Sequence, residues 1–196
     1  MTDISLYEDI KCRYFKKPGP ENTGDVLVAV AHRAGELNIG KVLIATNSGK
    51  TAFDALEILD KSIKIVAVTH YTGFVKPDFQ EMSEDARLEL ESKGVSVLTC
   101  IHALAGIGRG IRKRLSTYQV DEIVAFVLRM FGQGTKVAVE LALMAADAGL
   151  VRTDEDVISI GGTVKGADAA LVLQPVNSSN IFDLKVKEII CKPSAI

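Results

Sequence analysis

The sequence is poor in cysteine and has no cysteine pair. Cys12, Cys100 and Cys191 are the only three, their number is odd, and no Cys-x-x-Cys occurs. A disulfide framework and a cysteine zinc site are therefore unsupported, and a reducing compartment is the simplest reading. Charge of one sign is lacking too. The chain has 23 Lys and Arg against 25 Asp and Glu, a formal charge of −2, so bulk charge gives no reason to expect nucleic acid or an anionic membrane as partner. No uninterrupted apolar run approaches the roughly 20 residues of a membrane helix. Residues 1–5 hold no basic region ahead of an apolar stretch, so no secretory signal is expected. Neither an internal repeat nor a low-complexity linker is present. A soluble, cytoplasmic protein is expected.

What is there is material for one core. The chain has 196 residues, 47% of them apolar, and a chain of this length buries roughly 70% of the surface its unfolded form exposes. Residues 1–22 are polar and end in Lys17-Pro18-Gly19-Pro20, a breaker cluster that marks an irregular arm with at most a short strand or turn. Residues 23–196 are read as a single domain. Val26, Leu27, Val30, Ala31, Ala34 and Leu37 recur at helical spacing before Gly40. Lys41-Val42-Leu43-Ile44-Ala45 is a short apolar run between turn-formers, the pattern of a buried strand. A helix over 51–59, a strand over 63–68, a helix opening at Ser83-Glu84-Asp85 and closing at Gly94, and a strand over 95–99 follow. This alternation predicts a parallel sheet with helices on its faces. Two helices are expected over 120–131 and 135–148, then three strands around 157–160, 169–173 and 186–190. Their links are too short for parallel crossovers throughout, so at least one of them runs antiparallel.

In open sheets of this class ligands collect beyond the C-terminal strand ends, and five glycine-bearing segments are expected there. The first is Thr46-Asn47-Ser48-Gly49-Lys50-Thr51. Glycine permits close backbone approach, the following helix start offers free N–H groups to an anion, and Ser48, Thr51 and Lys50 add donors and charge. Gly49-Lys50-Thr51 invites a nucleoside-triphosphatase reading, but that loop needs a further glycine five residues before Gly49, and Ile44 stands there. The bland reading is an ordinary strand-to-helix turn. The second and third segments are Thr69-His70-Tyr71-Thr72-Gly73-Phe74 and Cys100-Ile101-His102 onward. His70 and His102 at matching strand ends suit a general base or a ring-shaped ligand flanked by Tyr71 and Phe74. Two histidines with no acid cluster beside them in sequence make a poor metal site, and no metal is expected. Bonding of loop carbonyls serves each histidine equally well. The fourth is Gly132-Gln133-Gly134-Thr135-Lys136, a second anion-binding candidate or a glycine kink between helices. The fifth is Gly161-Gly162-Thr163, followed by Asp168, which either accepts from a ligand hydroxyl or fixes the turn.

Other features are weaker. Arg109, Arg112, Lys113 and Arg114 lack aromatic interleaving and read as a solvated face, so no nucleic acid is expected. Gly106-x-Gly108-x-Gly110 lacks the spacing of a dinucleotide fingerprint.

Taken together the motifs resemble a family. The stretch from Lys41 to His70 is similar to the C-terminal regulatory domain of pyruvate kinase, in which the corresponding turn holds a phosphate of an allosteric sugar bisphosphate. The whole chain resembles the stand-alone pyruvate kinase α/β domain proteins of archaea and bacteria. The resemblance is carried by Ser48-Gly49-x-Thr51-Ala52, Thr69-His70-x-x-Gly73-Phe74, His102-Ala103-Leu104, the string Arg129-Met130-Phe131-Gly132-Gln133-Gly134-Thr135-Lys136-Val137, and Gly161-Gly162-Thr163-x-x-Gly166-Ala167-Asp168. It implies a three-layer α/β/α sandwich with a mostly parallel mixed sheet, and flavin mononucleotide (FMN) as cofactor. Lys50 stands where pyruvate kinases often have Arg or Thr. Pyruvate kinase activity is not expected, since that chemistry belongs to a separate barrel domain. Three functions follow as expectations: a binding module for a phosphorylated small molecule, a flavin-dependent oxidoreductase with His70, His102 or Lys136 as proton donor, or a regulatory domain answering to a phosphorylated effector. A homo-oligomer is compatible with each.

Overall fold

The computed structural model describes residues 6–194. The signal reading of residues 1–5, and the outer ends of the 1–22 arm and the 23–196 domain, lie outside them. Seven strands form one sheet: β1 (Arg13–Phe15), β2 (Lys41–Ala45), β3 (Lys64–Thr69), β4 (Ser96–Thr99), β5 (Val157–Gly161), β6 (Ala169–Gln174) and β7 (Lys185–Pro193). Their order is β1-β7-β6-β5-β2-β3-β4. Every neighbouring pair is parallel except β5 with β6 and β6 with β7. Strand β6 alone therefore runs against the rest, which is the antiparallel element that the short C-terminal links required.

The period of two along each strand divides the core into two halves. Val42 and Ile44 of β2 join Ile65, Ala67, Ile158 and Ile160 on one face, covered by α1 (Thr23–Leu37), α2 (Lys50–Ile58) and α3 (Glu84–Ser92). Leu43, Val66, Val68, Leu171 and Leu173 face the other way, against α6 (Gln133–Asp147). Between them in sequence come α4 (Gly106–Leu115) and α5 (Val120–Arg129), with Ala125 of α5 packed on Leu143 of α6. The result is the three-layer sandwich. Val42, Leu43 and Ile44 are wholly buried, each worth roughly 1.5–3 kcal/mol relative to exposure.

Local chemistry sets the ends. Ser83 Oγ accepts from Ala86 N at 3.2 Å and opens α3, with Glu84 and Asp85 in its first turn, where the helix dipole favours acids. Asn38, in the left-handed region, closes α1. Helix α6 lies unusually close to β5. A Cβ at Gly161 would fall 2.1 Å from Gly134 O and 2.9 Å from Ala138 N, and Ser159 Oγ donates to Ala138 O at 2.7 Å. Glycine at 161 is the condition for that approach.

Two elements differ from the sequence reading. Helix α4 forms in the glycine-rich basic stretch, where no helix was expected. Gly108 is what lets it sit against α5, because a Cβ there would be 2.8 Å from the Asp121 carboxylate. Helix α5 forms over a shorter span than the expected 120–131; it buries Glu122 and Ala125, packs Val124 and Leu128 on the core, and leaves Ile123 and Val127 on the surface.

Candidate functional site

Because β2, β3, β4 and β5 are parallel, their C-terminal ends share one edge, and β6 begins there. The 46–51 turn follows β2. Thr46 is buried and its N–H donates to Val68 O at 3.0 Å. Gly49 has φ 91°, and Leu90 and Phe53 lie 3.3 Å from the position of a Cβ there, so a side chain at 49 is strained twice over. Helix α2 then starts with no side-chain cap and no acid in its first turn. Its first amides are thus free to attract an anion. Ser48 and Lys50 are exposed, Asn47 is half-buried and Thr51 is buried. Lys50 Nζ reaches back to Asp54 at 2.9 Å.

Beyond β3 and β4 the rings gather. His70 stacks on Phe74 with centroids 3.8 Å apart, His102 lies 5.3 Å from both, and Tyr71 lies 5.5 Å from Phe74 and from His102. The Arg109 guanidinium sits 4.8 Å from the Phe74 centroid. Gly73, at φ 94°, makes the turn that folds Phe74 back. Glu81 Oε2 lies 2.6 Å from His70 Nδ1, and Gln80 Nε2 donates to His70 O at 3.0 Å. Burial pushes the His102 imidazole down to about 4; His70, Lys136 and Arg109 act in the same sense and Glu140 opposes them. His102 is therefore neutral near pH 7. A shallow groove of about 530 Å³ runs from Tyr71 along α4, past Ile107, Arg109 and Arg114.

At the start of α6, Gly132 has φ 119°, and again no side chain caps the helix and no acid occupies its first turn. The side chains here are already engaged. Gln133 Oε1 accepts from Arg129 Nε at 2.7 Å, and Thr135 Oγ1 donates to Phe131 O at 3.2 Å. Lys136 and Glu140, both buried, form an ion pair one turn apart, and Glu140 Oε1 also accepts from Leu104 N at 3.0 Å. Burial lowers the Lys136 ammonium below the usual lysine range, against the pull of Glu140. Gly134 is buried against Asp168 and Ala169.

The last loop is largely a fastening. Asp168 is fully buried, and its Oδ2 accepts from Gly19 N at 3.2 Å and Thr163 N at 3.1 Å. Burial raises its carboxyl above the usual range, and Oδ1 has no hydrogen-bond partner among the described residues. Of the two roles read for Asp168, fixing the turn is the one these bonds perform. Gly161 meets α6 rather than open space, while Gly162 and Thr163 remain half-buried.

The sequence model described as "Pyruvate kinase, alpha/beta domain" matches residues 25–173, more than half of the chain. The chain belongs to the pyruvate kinase alpha/beta domain family. Among solved structures it is similar to a pyruvate kinase from Cryptosporidium parvum, at 16% identity and a TM-score of 0.40, over 80% of this chain and 23% of that one. Two further structures of Cryptosporidium parvum pyruvate kinase match at 15–16% identity and TM-scores of 0.36, one of them in complex with ADP. The chain spans about a quarter of the length of these enzymes.

Within this family domain the edge is divided by the sheet. The 46–51 turn packs on the α2–α3 side, over Leu90 and Met82. The start of α6 and His102 lie on the other side, where Glu140 and Lys136 share the electrostatic surroundings of His102. Sequence reasoning missed Glu140, Glu81 and Arg109. Glu140 had a signal: a lysine–glutamate pair at i,i+4 normally marks a solvated face, but this pair lies in a helix whose residues from Ala138 to Ala146 are otherwise apolar. Among the described residues no group of three or more His, Cys, Asp or Glu is placed to hold a metal, and no helix is long and apolar enough to cross a membrane.

Proposed function

We propose that this domain binds a phosphorylated small molecule, flavin mononucleotide first, across the C-terminal edge of its sheet. The observation that carries the reading is the placement of uncapped, acid-free helix starts at the same edge as a cluster of four planar rings. The helix starts offer N–H groups to a dianion. The rings His70, Tyr71, Phe74 and His102 offer flat surfaces to an aromatic ring system, and the groove beside Tyr71 falls within the roughly 300–1,000 Å³ of ordinary ligand sites. Between the two phosphate positions, the 46–51 turn is favoured. Its Ser48 is exposed, whereas Thr135 and Lys136 at the rival turn are held by Phe131 and Glu140.

The visible spectrum of the freshly purified protein and a fluorescence titration with FMN and with riboflavin test this. Hydrogen bonds to a charged group are worth about 1.5–3 kcal/mol. Ser48→Ala is thus expected to weaken FMN by roughly 10- to 150-fold and leave riboflavin unchanged. A colourless protein that takes up neither ligand defeats the reading. Equal losses for both ligands defeat the assignment of the phosphate to the 46–51 turn.

A catalytic reading rests on one observation: neutral His102 and the buried Lys136–Glu140 pair border the ring cluster. With a flavin supplying the redox chemistry, His70, His102 or Lys136 would hold or deliver the proton in an oxidoreductase. A bound flavin that no nicotinamide or other reductant reduces counts against it. Family membership supports the third reading, a regulatory domain, which requires that ligand alter assembly or a partner's activity.

A further inference from the structure

Helix α5 carries apolar side chains on both of its faces. Val124, Ala125 and Leu128 pack inward, Glu122 is buried and accepts from Arg112 Nε at 2.6 Å, and Arg129 Nε donates to Gln133. Outward, Val120 is 76% exposed, Ile123 52%, Val127 51% and Met130 72%. The helix cannot roll to hide these side chains without breaking the Glu122–Arg112 and Arg129–Gln133 bonds. A contiguous exposed apolar face of this kind marks an interaction site.

We infer that a second copy of this chain docks on that face, its α5 lying antiparallel to the first across a two-fold axis. The spacing 120, 123, 127, 130 is three, four, three, the seam that packs one helix against another. An antiparallel pair about a two-fold is self-complementary on it: Val120 of one copy meets Met130 of the other, and Ile123 meets Val127. Phe126, with Tyr118 edge-on at 5.4 Å, and Phe131 widen the strip. Six such side chains, at on the order of 100 Å² each, bury about 1,200 Å² over the two copies, the lower bound of a stable interface. The four seam positions carry no charge; Arg129 over the Phe126 ring at 5.3 Å and Arg112 over the Tyr118 ring at 5.4 Å flank them. Of the cations an anionic membrane would need, Arg112 is engaged by Glu122 and Arg129 by Gln133, and Lys113 and Arg114 lie on the last turn of α4.

Sedimentation of the full chain at about 10 μM tests the inference, with affinities read by dilution. The wild type is expected at twice the chain mass. Ile123→Glu with Val127→Glu sets four carboxylates face to face, and raises the dissociation constant by at least about a hundredfold. Val28→Glu, on an isolated exposed valine of α1, leaves the mass unchanged. Ile123→Cys with Val127→Cys, under mild oxidation, is expected to give a covalent dimer, which keeps the test open should the glutamate variant unfold. A monomeric wild type overturns the inference. So does a dimer that survives the double glutamate change, or a single-chain mass with phosphatidylserine vesicle binding that the same change abolishes.

Discussion

His102 makes stability depend on pH in a calculable way. Its imidazole titrates near 6.5 in an unfolded chain and at about 4 in the fold, because burial and the cations Lys136 and Arg109 disfavour its charged form. A depressed folded-state pKa means the unfolded chain binds the proton first. The contribution is therefore complete above about pH 6.5 and is lost as pH falls from there through 4. The difference of about 2.5 units, at 1.36 kcal/mol each, amounts to about 3 kcal/mol. Urea denaturation of the wild type and of His102→Phe at several pH values between 7.5 and 4.5 isolates this group, since the carboxylates common to both proteins cancel in the difference. Between pH 6 and 4.5 the wild type is expected to lose about 1.1 kcal/mol per pH unit more than the variant. Parallel curves, or an NMR titration of His102 with a midpoint near 6.5, would refute the reasoning.

The buried pair and the glycine contact give two more tests. Lys136→Met leaves Glu140 buried without its partner, a loss of about 3–5 kcal/mol, or roughly 6–20 °C in Tm for a domain of this size. Lys136→Met with Glu140→Leu should recover most of it. Calorimetry showing a single-variant loss below about 1 kcal/mol would rule out a structural role for the pair. Gly161→Ala drives a methyl into Gly134 O and should destabilise by roughly 1–3 kcal/mol or more. Gly24→Ala, on α1 with nothing within 4 Å of the added carbon, should stabilise by about 0.5–1 kcal/mol. Urea midpoints moving in the same direction for both would contradict the packing described.

Where burial was two-sided the sequence was readable. The apolar runs at 41–45, 63–68 and 157–160 are strands because both faces of the sheet are covered, and their boundaries shift by one residue at most. That at least one of the last three strands is antiparallel followed from link lengths; that it is β6 comes from the structure. Elsewhere local pattern and tertiary context disagree. Gly106, Gly108 and Gly110 weaken a helix by propensity, yet α4 forms, with Gly108 close against the Asp121 carboxylate of α5. The apolar residues of α5 are enough for two faces, of which Val124, Ala125 and Leu128 meet the core, while Glu122 and Arg129 hold bonds that leave Ile123 and Val127 outside. At the site, the ring residues and the 46–51 turn were visible as residue types in strand-end loops, and the 132–136 turn as a glycine-rich break between helices. The Glu81 and Glu140 carboxylates that hold His70 and Lys136 come from positions 11 and 4 residues away, and no loop motif announces them.

The edge strand β1 has a bearing on the order of events in folding. Arg13 pairs with Cys191 and Phe15 with Pro193, so this short ladder closes almost the whole chain. Gly19 on Asp168, Ala167 on the Thr23 hydroxyl and Ser194 on Phe15 O are stitches of similar span. Contacts so distant in sequence come late, after helices and neighbouring strands have met. Two of these stitches, at Asp168 and Ala167, also fix the loop that backs Gly134. The α6 side of the candidate site is then among the last parts of the molecule to become rigid, and a local opening of the arm loosens it without unfolding the sheet.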